Sequence, residues 1–454
     1  MRDSIYDLIC AILLGLGQMC MFTGYDTQSF IVEPVLHSVH DRKPGEIDAH
    51  AGYYGQAVCM ISYMFANLVA PWALGLLGPK LTLVIGSSFF TLYLLTFFYV
   101  HFIPFYLTSA LMGVGFALYY TGNGGYITEH STRETISRNS ALVWAVGTSC
   151  MVVGGVVMLF TIQPPTESLL SVEMINGTAV YSEKSYREYS DGEIKLMYGA
   201  FAIVSFCSNV IFALIPNRPV RNSLAENNAK VARVGFTEGV GKTFSALADY
   251  RMIRMAPVFC FVGTTTCFWI AVYPTTLGFT LKLSSYIYLP AYYSIVLGLG
   301  DMLMGFIITS VSKRWPNFAQ MPSLILGCIL YLLAMILALL STPAWSTNTP
   351  NNEPTLLLEP SFEIALIVAL LFGLADNCLN TSRTVLCALV MPDHRAQVFS
   401  ISKFYQSLTA SILMFISPWM SVPMYFGLIF VNGVVALVLY KKVAKKTRRV
   451  ERKV

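Results

Sequence analysis

Long apolar stretches alternate with shorter polar ones along almost the whole chain. Each apolar stretch can cross about 30 Å of hydrocarbon at a helical rise of about 1.5 Å per residue. They lie roughly at residues 6–31, 52–77, 81–100, 104–127, 140–161, 196–215, 253–277, 288–311, 322–340, 362–386, 396–416 and 423–440. This pattern predicts twelve membrane-spanning helices, because the strands of a membrane barrel would show short segments of alternating polarity instead.

Composition supports the same class. The chain has 454 residues, of which 55% are hydrophobic and 12% are charged, and its mean hydropathy is +0.60. A soluble domain would carry about 25% charged residues. The first apolar run is longer than the core of a signal peptide, and no small-residue cleavage site follows it. We therefore expect an all-α, multi-pass membrane protein that keeps its first span.

A polar stretch divides the spans into six and six. We predict a first six-helix bundle over residues 1–215, a cytoplasmic linker over 216–252, a second bundle over 253–440 and a basic cytoplasmic tail over 441–454. Chains of this plan are commonly parallel repeats. A shift of 260 residues supports a repeat, because it places Leu111, Gly113, Thr121 and Ser140 on Leu371, Gly373, Thr381 and Ser400.

Basic residues predict the orientation in the membrane. Cytoplasmic segments are enriched in Lys and Arg. With the first residue inside, the inner segments carry Arg133, Arg138, Lys313, Arg314, Arg395 and eight basic residues of the tail, whereas the outer segments carry few. Both termini are then cytoplasmic. Which membrane the protein occupies, plasma membrane or endomembrane, is left open.

Two further features concern the outer loops. The sequence Asn176-Gly177-Thr178 is a glycosylation sequon in the loop after the fifth span, which this orientation places outside. All ten cysteines fall in apolar runs, so the sequence predicts no disulfide framework. No Cys and His cluster has the spacing of metal ligands, so we expect no metal site and no cofactor.

The membrane-spanning sequence richest in polar residues runs from residue 371 to residue 407, which covers parts of the tenth and eleventh predicted spans and the turn between them. Asp376, Asn380 and Arg383 are spaced i, i+4 and i+7, which places them on one helical face. Ionisable groups in hydrocarbon are costly and mark a functional or pairing site by default. Lys403 lies about two turns inside the next span. One hypothesis is that Asp376 or Asp301 neutralises Lys403, and the alternative is that Lys403 reaches out to the cytoplasmic surface.

Other spans contribute polar candidates of their own. Asp26 lies one to two turns from the predicted outer end of the first span, where it is either an interfacial acid or part of a buried site. Tyr119 and Asn123 form a polar face near the inner end of the fourth span, and Asp301 lies near the middle of the eighth. The whole set is compatible with charge pairs that only lock helices together, with a ligand, ion or proton site, and with contacts to lipid or a partner.

The tail and the absence of catalytic motifs limit the function classes. The basic residues after position 440 are explained by orientation alone, or they attract anionic lipid. A tail so close to a span is unsuited to nucleic acid. The sequence shows no catalytic triad and no nucleotide-binding loop. We therefore expect a membrane protein that is not an enzyme.

Several local sequences resemble the Unc-93-like family. They are residues 21–28, 52–55, 66–71, 78–80 and 138–140, Trp144, and residues 372–381 and 399–407. This family is the ion-channel-regulatory branch of the major facilitator superfamily, and the chain looks closest to its animal branch of major-facilitator-domain-containing proteins. The resemblance implies two six-helix bundles around a central cavity lined by spans one, four, seven and ten. Asp26, Tyr119, Asn123, Asp376, Asn380 and Arg383 would then line that cavity.

The resemblance also implies a function. Family members are implicated in regulating potassium channels or in escorting receptors, so we expect an accessory subunit for another membrane protein. The alternative is a secondary solute carrier, proton- or ion-coupled, with its site around Asp376. One departure weighs against a standard carrier. Transporters of the superfamily carry an acid in the turn between spans two and three, and the turn here, residues 74–80, has none.

Overall fold

The computed structural model describes residues 3–132, 134–164, 170–175, 178–183, 187–218, 220, 223, 241, 245, 247–315, 317–390 and 395–451. The first part of the chain folds into α1 (Asp3–Ser29), α2 (Val32–Arg42), α3 (Ala51–Leu95), α4 (Phe102–Glu129), α5 (Ile136–Gly147), α6 (Cys150–Thr161) and α7 (Asp191–Leu214). The second part folds into α8 (Tyr250–Cys267), α9 (Tyr273–Phe279), α10 (Leu281–Ser284), α11 (Leu289–Arg314), α12 (Met321–Ser341), α13 (Phe362–Val390), α14 (Arg395–Ile416) and α15 (Val422–Glu451).

The helices account for the predicted spans. Among the described residues, ten helical stretches are long and apolar enough to cross a membrane. One of them, Ala51–Phe98, contains the second and third predicted spans. The predicted eleventh span corresponds to α14, which is not one of the ten and which carries Lys403. The architecture is therefore consistent with twelve crossings.

Helix α3 reverses direction at Gly78. This residue has a φ of 74°, which a residue with a Cβ rarely adopts. Gly113 of α4 packs against Cys59, and its near neighbour Gly115 packs against Gly86. Cys59 and Gly86 would lie about 40 Å apart in one straight helix. Their contact with one short piece of α4 shows that the two halves of α3 run side by side.

Helix α2, the short α10 and a pair of strands fall outside the predicted spans. Helix α2 follows α1 after two residues and packs its Val35 and Leu36 into the core. In the loop after α6, β1 (Leu170–Ile175) and β2 (Thr178–Glu183) pair antiparallel, with Ile175 opposite Thr178. The predicted glycosylation residue, Asn176, lies outside the described residues.

The two ends of the bundle can be distinguished by contacts between elements. Tyr6, near the start of α1, donates to the carbonyl of Arg218, and Arg138 of α5 pairs with Asp7 at 3.1 Å. We call this the terminal end, because α1 begins there. At the opposite end, the distal end, Arg42 and Lys43 both lie 2.8 Å from the carboxylate of Asp191 at the start of α7.

The two halves of the chain meet closely toward the distal end. Tyr53 of α3 donates to the carbonyl of Thr347 at 2.9 Å, across the two halves. The ring of Phe30 lies 5.1 Å from that of Tyr293, and the ring of His37 lies 5.1 Å from that of Phe279. Large side chains of both halves therefore close the distal end.

Candidate functional site between the two bundles

Asp376 lies at the middle of α13, as far from Phe362 as from Val390. Both of its carboxylate oxygens have neutral donors. The indole nitrogen of Trp269 donates to Oδ1 at 3.0 Å, and the amide of Asn380 donates to Oδ2 at 2.8 Å. The predicted i, i+4 relation of Asp376 and Asn380 is thus a direct hydrogen bond.

Trp269 reaches Asp376 from an irregular part of the seventh span. A π-helical turn, Phe268–Val272, separates α8 from α9. Such turns leave a backbone carbonyl without its usual partner and are frequent at functional sites. Here the carbonyl of Trp269 accepts the hydroxyl of Tyr293 at 2.7 Å. Trp269 was not predicted as a site residue, because its only signal in the sequence is an indole donor within an apolar run.

Asp301 is brought to the same region by close packing of α11 on α13. A Cβ on Gly373 would lie 2.1 Å from the carbonyl oxygen of Leu297, and one on Gly300 would lie 2.7 Å from that of Leu370. The amide of Asn377 donates to the Asp301 carbonyl at 3.0 Å. Asp301 is 8% exposed and lies within electrostatic range of Asp376.

Asp26 lies three residues before Ser29, where α1 ends. The thiol of Cys150 donates to Asp26 Oδ2 at 3.3 Å. Cys150 begins α6, midway along the helical stretch Arg138–Thr161. Asp26 therefore lies near the end of α1 and contacts the middle of the helical stretch Arg138–Thr161.

Tyr119 and Asn123 form a separate polar group inside the first half. Asn123 donates to the hydroxyl of Tyr119 at 2.6 Å and lies 3.5 Å from Gln18 Oε1. Tyr119 is fully buried against Phe22. The neighbouring Tyr120 contacts Lys403 of the second half.

Arg383 and Lys403 lie on neighbouring helices of the second half. A guanidinium nitrogen of Arg383 donates to Gln406 Oε1, and Gln406 in turn lies 3.5 Å from the hydroxyl of Thr266. The ammonium of Lys403 lies 4.9 Å from the ring centroid of Tyr120. Among the described residues, no acid lies within the 4.0 Å of an ion pair with Lys403. Asp376 is not in direct contact with Lys403, but it lies within electrostatic range of it.

The exposure of these residues increases toward the terminal end. On one face of α13, Asp376 and Asn380 are half-buried and Thr384 is exposed. On α4, Tyr120 is half-buried, and a Cβ on Gly124 one turn later would meet nothing within 4 Å. A cleft between α4 and α13 thus leads from the terminal end to the charged residues.

Metal binding is not favoured by this arrangement. Within the described ranges, no three His, Cys, Asp or Glu side chains converge in a way that could hold a metal ion. The acids are instead hydrogen-bonded to an indole, an amide and a thiol. The site can hold charge in a low-dielectric interior, and it joins helices from both halves.

Comparison with known proteins places this geometry in context. The family model described as ion channel regulatory protein UNC-93 matches residues 43–440. The UNC93-like protein MFSD11 of Xenopus laevis is 26% identical over 435 residues, covering 91% of this chain and 90% of that protein. The protein unc-93 homolog A of Bos taurus is 22% identical, covering 87% and 84%.

Solved structures show the fold. The major facilitator superfamily transporter FucP, in the outward conformation, matches with a TM-score of 0.59 and 14% identity, over 97% of this chain and 99% of that one. The nucleoside transporter NupG matches with a TM-score of 0.61 and 13% identity, over 98% and 99%. The fold is therefore that of the major facilitator superfamily, with two six-helix bundles.

Proposed function

Since this chain belongs to the UNC-93 family of ion channel regulatory proteins, we propose that it is an accessory subunit that regulates another membrane protein, such as a potassium channel or a receptor. The observation that carries this proposal is the family match, which runs from residue 43 to residue 440 and so covers both bundles. The same match supports a partner within the membrane, because the chain itself is a multi-pass membrane protein.

The turn between the two halves of α3 also favours an accessory role. The resemblance to the superfamily implies an acid in this turn in standard carriers, and residues 74–80 contain none. Lys80, the one basic residue of the turn, has no ion pair or side-chain hydrogen bond with any described residue. Among the residues that the structure describes, Lys80 thus makes no charge contact of the kind that the acid would supply.

Co-expression with potassium channels tests the regulatory role. We expect wild-type protein to change the whole-cell potassium current of one or more channels in a panel, relative to cells that express the channel alone. Channel protein at the cell surface is measured in parallel, which separates an effect on gating from an effect on trafficking. Unchanged current and unchanged surface amount across the panel would remove support for this role.

A secondary carrier is the second candidate, and one observation favours it. Lys403 of the second half contacts Tyr120 of the first at the end of a cleft, while the distal end is closed. Buried charge at the interface of two repeats, open on one side, is the arrangement that alternating access requires. Asp376 would be the central ionisable group of such a carrier.

Reconstitution separates the two candidates. The carrier candidate expects a pH change inside liposomes when a coupled solute is added, and loss of that change in the Asp376→Asn variant. The accessory candidate expects no flux from either protein, and partner binding by both. Asp376→Asn keeps the shape and the hydrogen bonds of one oxygen, so a folded variant is a fair control.

The orientation in the membrane, the domain bounds and the glycosylation site are part of the proposal. We propose that both termini are cytoplasmic, that residues 216–252 link bundles over 1–215 and 253–440, that 441–454 form a basic tail, and that Asn176 is glycosylated on the outer side. We also propose that the protein is not an enzyme. Protease protection of a terminal tag and a mobility shift on deglycosylation test the orientation together.

A further inference from the structure

Arg383 and Lys403, which we call the cation pair, are the charged groups of the centre that the proposed function does not explain. Arg383 is 6% exposed, and its Nε is buried without an acceptor among the described residues. A guanidinium has five N–H donors, and buried donors in native proteins are almost always satisfied. Within the described part of the chain, the one side-chain acceptor of Arg383 is Gln406.

Lys403, on the next helix, is also a cation without a direct acidic partner among the described residues. Its ammonium lies over the ring of Tyr120, and no described acid pairs with it. Lys403 precedes Gln406 by three residues on α14, so both lie on one helical face. Arg383 bonds to Gln406 and lies close enough to Lys403 to repel it. Two like charges are thus held on one side of the cleft.

Among the described residues, no acid forms a direct ion pair with Arg383 or Lys403, although Asp376 lies within electrostatic range of both. Asp376 precedes Arg383 by seven residues on α13, which is about 10 Å along the helix axis. Its oxygens accept from Trp269 and Asn380. The acids therefore lie deeper, and the cations lie nearer the terminal end, where Thr384 and Gly124 border open space.

We propose that the cation pair binds an anionic group, a carboxylate or a phosphate, on a small soluble molecule that enters the cleft from the terminal end. The anion accepts from Arg383 Nε and from the Lys403 ammonium, and Gln406 and Tyr120 flank it. This site goes beyond the accessory role and does not depend on it. In the carrier candidate it would name the substrate class.

Thermal unfolding of the full chain in phosphatidylcholine nanodiscs tests the proposal. Sodium phosphate and sodium succinate are titrated against sodium chloride at equal ionic strength. We expect a saturable rise in melting temperature with one or both anions, because ligands of the folded state stabilise it. Arg383→Gln and Lys403→Met should each weaken the apparent affinity about tenfold or more, because each removes a charge-assisted hydrogen bond.

Matched variants keep the test decisive. Lys313→Gln removes an exposed cation at the end of α11 and should leave the titration unchanged. Arg383→Lys retains the charge and should retain part of the affinity if a glutamine variant fails to fold. An equal response in the wild-type protein and in both cation-pair variants would overturn the proposal, as would no anion-specific response in the wild type.

A second arm distinguishes a soluble anion from a lipid headgroup. The same proteins are melted in nanodiscs that contain phosphatidylglycerol. Stabilisation by this lipid that depends on Arg383 and Lys403, together with no response to phosphate or succinate, would overturn the soluble source. Stabilisation by soluble anions in neutral lipid supports the proposal directly.

Discussion

At the residue scale, Trp269 decides how Asp376 is held. Trp269→Phe keeps the ring in the π-helical turn but removes the 3.0 Å bond to the carboxylate. A hydrogen bond to a charged group typically contributes about 1.5–3 kcal/mol. We expect a lower melting temperature in detergent for this variant. Trp144→Phe is the matched control, because Trp144 is 57% exposed, and an equal loss in both variants would contradict this role.

His130 gives the protein a pH dependence at the terminal end. It follows α4, it is 2% exposed, and its ring stacks on Tyr126 at 4.0 Å. Burial lowers the pKa of His130 below its usual 6.5. The unfolded chain therefore takes up the proton first as pH falls, so the folded state loses stability below about pH 6.5.

The measurement is the melting temperature between about pH 8 and pH 5.5. We expect it to fall on the acid side in the wild type and to fall less steeply in His130→Gln. The slope is compared rather than the absolute value, because the substitution itself changes packing. Identical slopes in the two proteins would show that His130 does not set this dependence.

Individual residues were only partly predictable. The bond from Asn380 to Asp376 follows from helical spacing, which the sequence contains. The position of Lys403 does not follow from helical spacing. Two residues at equal depth in neighbouring helices can point in different directions around their helix axes. Lys403 is directed at Tyr120 in the other half, and that direction depends on how the two bundles pack.

At the element scale, Gly373 sets the contact between α11 and α13. Gly373→Ala would place a methyl group 2.1 Å from the carbonyl oxygen of Leu297, so the helices must separate. Overpacking of this kind costs about 1–3 kcal/mol. We expect Gly373→Ala to lower the melting temperature and the yield of monodisperse protein on size-exclusion chromatography.

Gly427 of α15 is a position where substitution by alanine should not lower stability. It is exposed, and a Cβ there would meet nothing within 4 Å. Alanine is favoured over glycine in a helix by up to about 1 kcal/mol. Gly427→Ala should therefore leave stability unchanged or raise it, and an equal loss in both variants would contradict the packing role of Gly373.

Spans were more predictable than their connections. Apolar length fixes where a helix can cross a membrane, so α4 and α11 begin and end within a few residues of prediction. The proposed repeat also has a physical counterpart, because a Cβ on Gly113 and a Cβ on Gly373 would each lie 2.1 Å from a carbonyl oxygen of a neighbouring helix. Helix α2 and the β1–β2 hairpin carry no such length signal and were missed.

At the scale of the whole molecule, the cleft is expected to open to one side of the membrane only. Thr384→Cys should react with a membrane-impermeant thiol reagent in permeabilised cells and not in intact cells, because the proposed orientation places the terminal end in the cytoplasm. Thr265→Cys is the buried control and should react in neither. Labelling of Thr384→Cys in intact cells would contradict the orientation.

The fold class was within reach of the sequence, because composition and span count restrict a membrane chain to few architectures. The family was within reach only through the resemblance of local sequences such as residues 372–381. The closed distal end could not be predicted from the sequence. It depends on contacts such as Tyr53 with Thr347, whose partners are far apart in the chain and carry no pattern of their own.

The most direct test of an accessory role is isolation of the tagged protein from its native membranes in a mild detergent. The protein is followed by native size-exclusion chromatography and mass spectrometry, beside a tagged multi-pass protein of another family. We predict a complex with a second membrane protein at fixed stoichiometry, retained by Asp376→Asn. Elution of this 50.3 kDa chain without a partner, together with Asp376-dependent solute flux in liposomes, would contradict the accessory role.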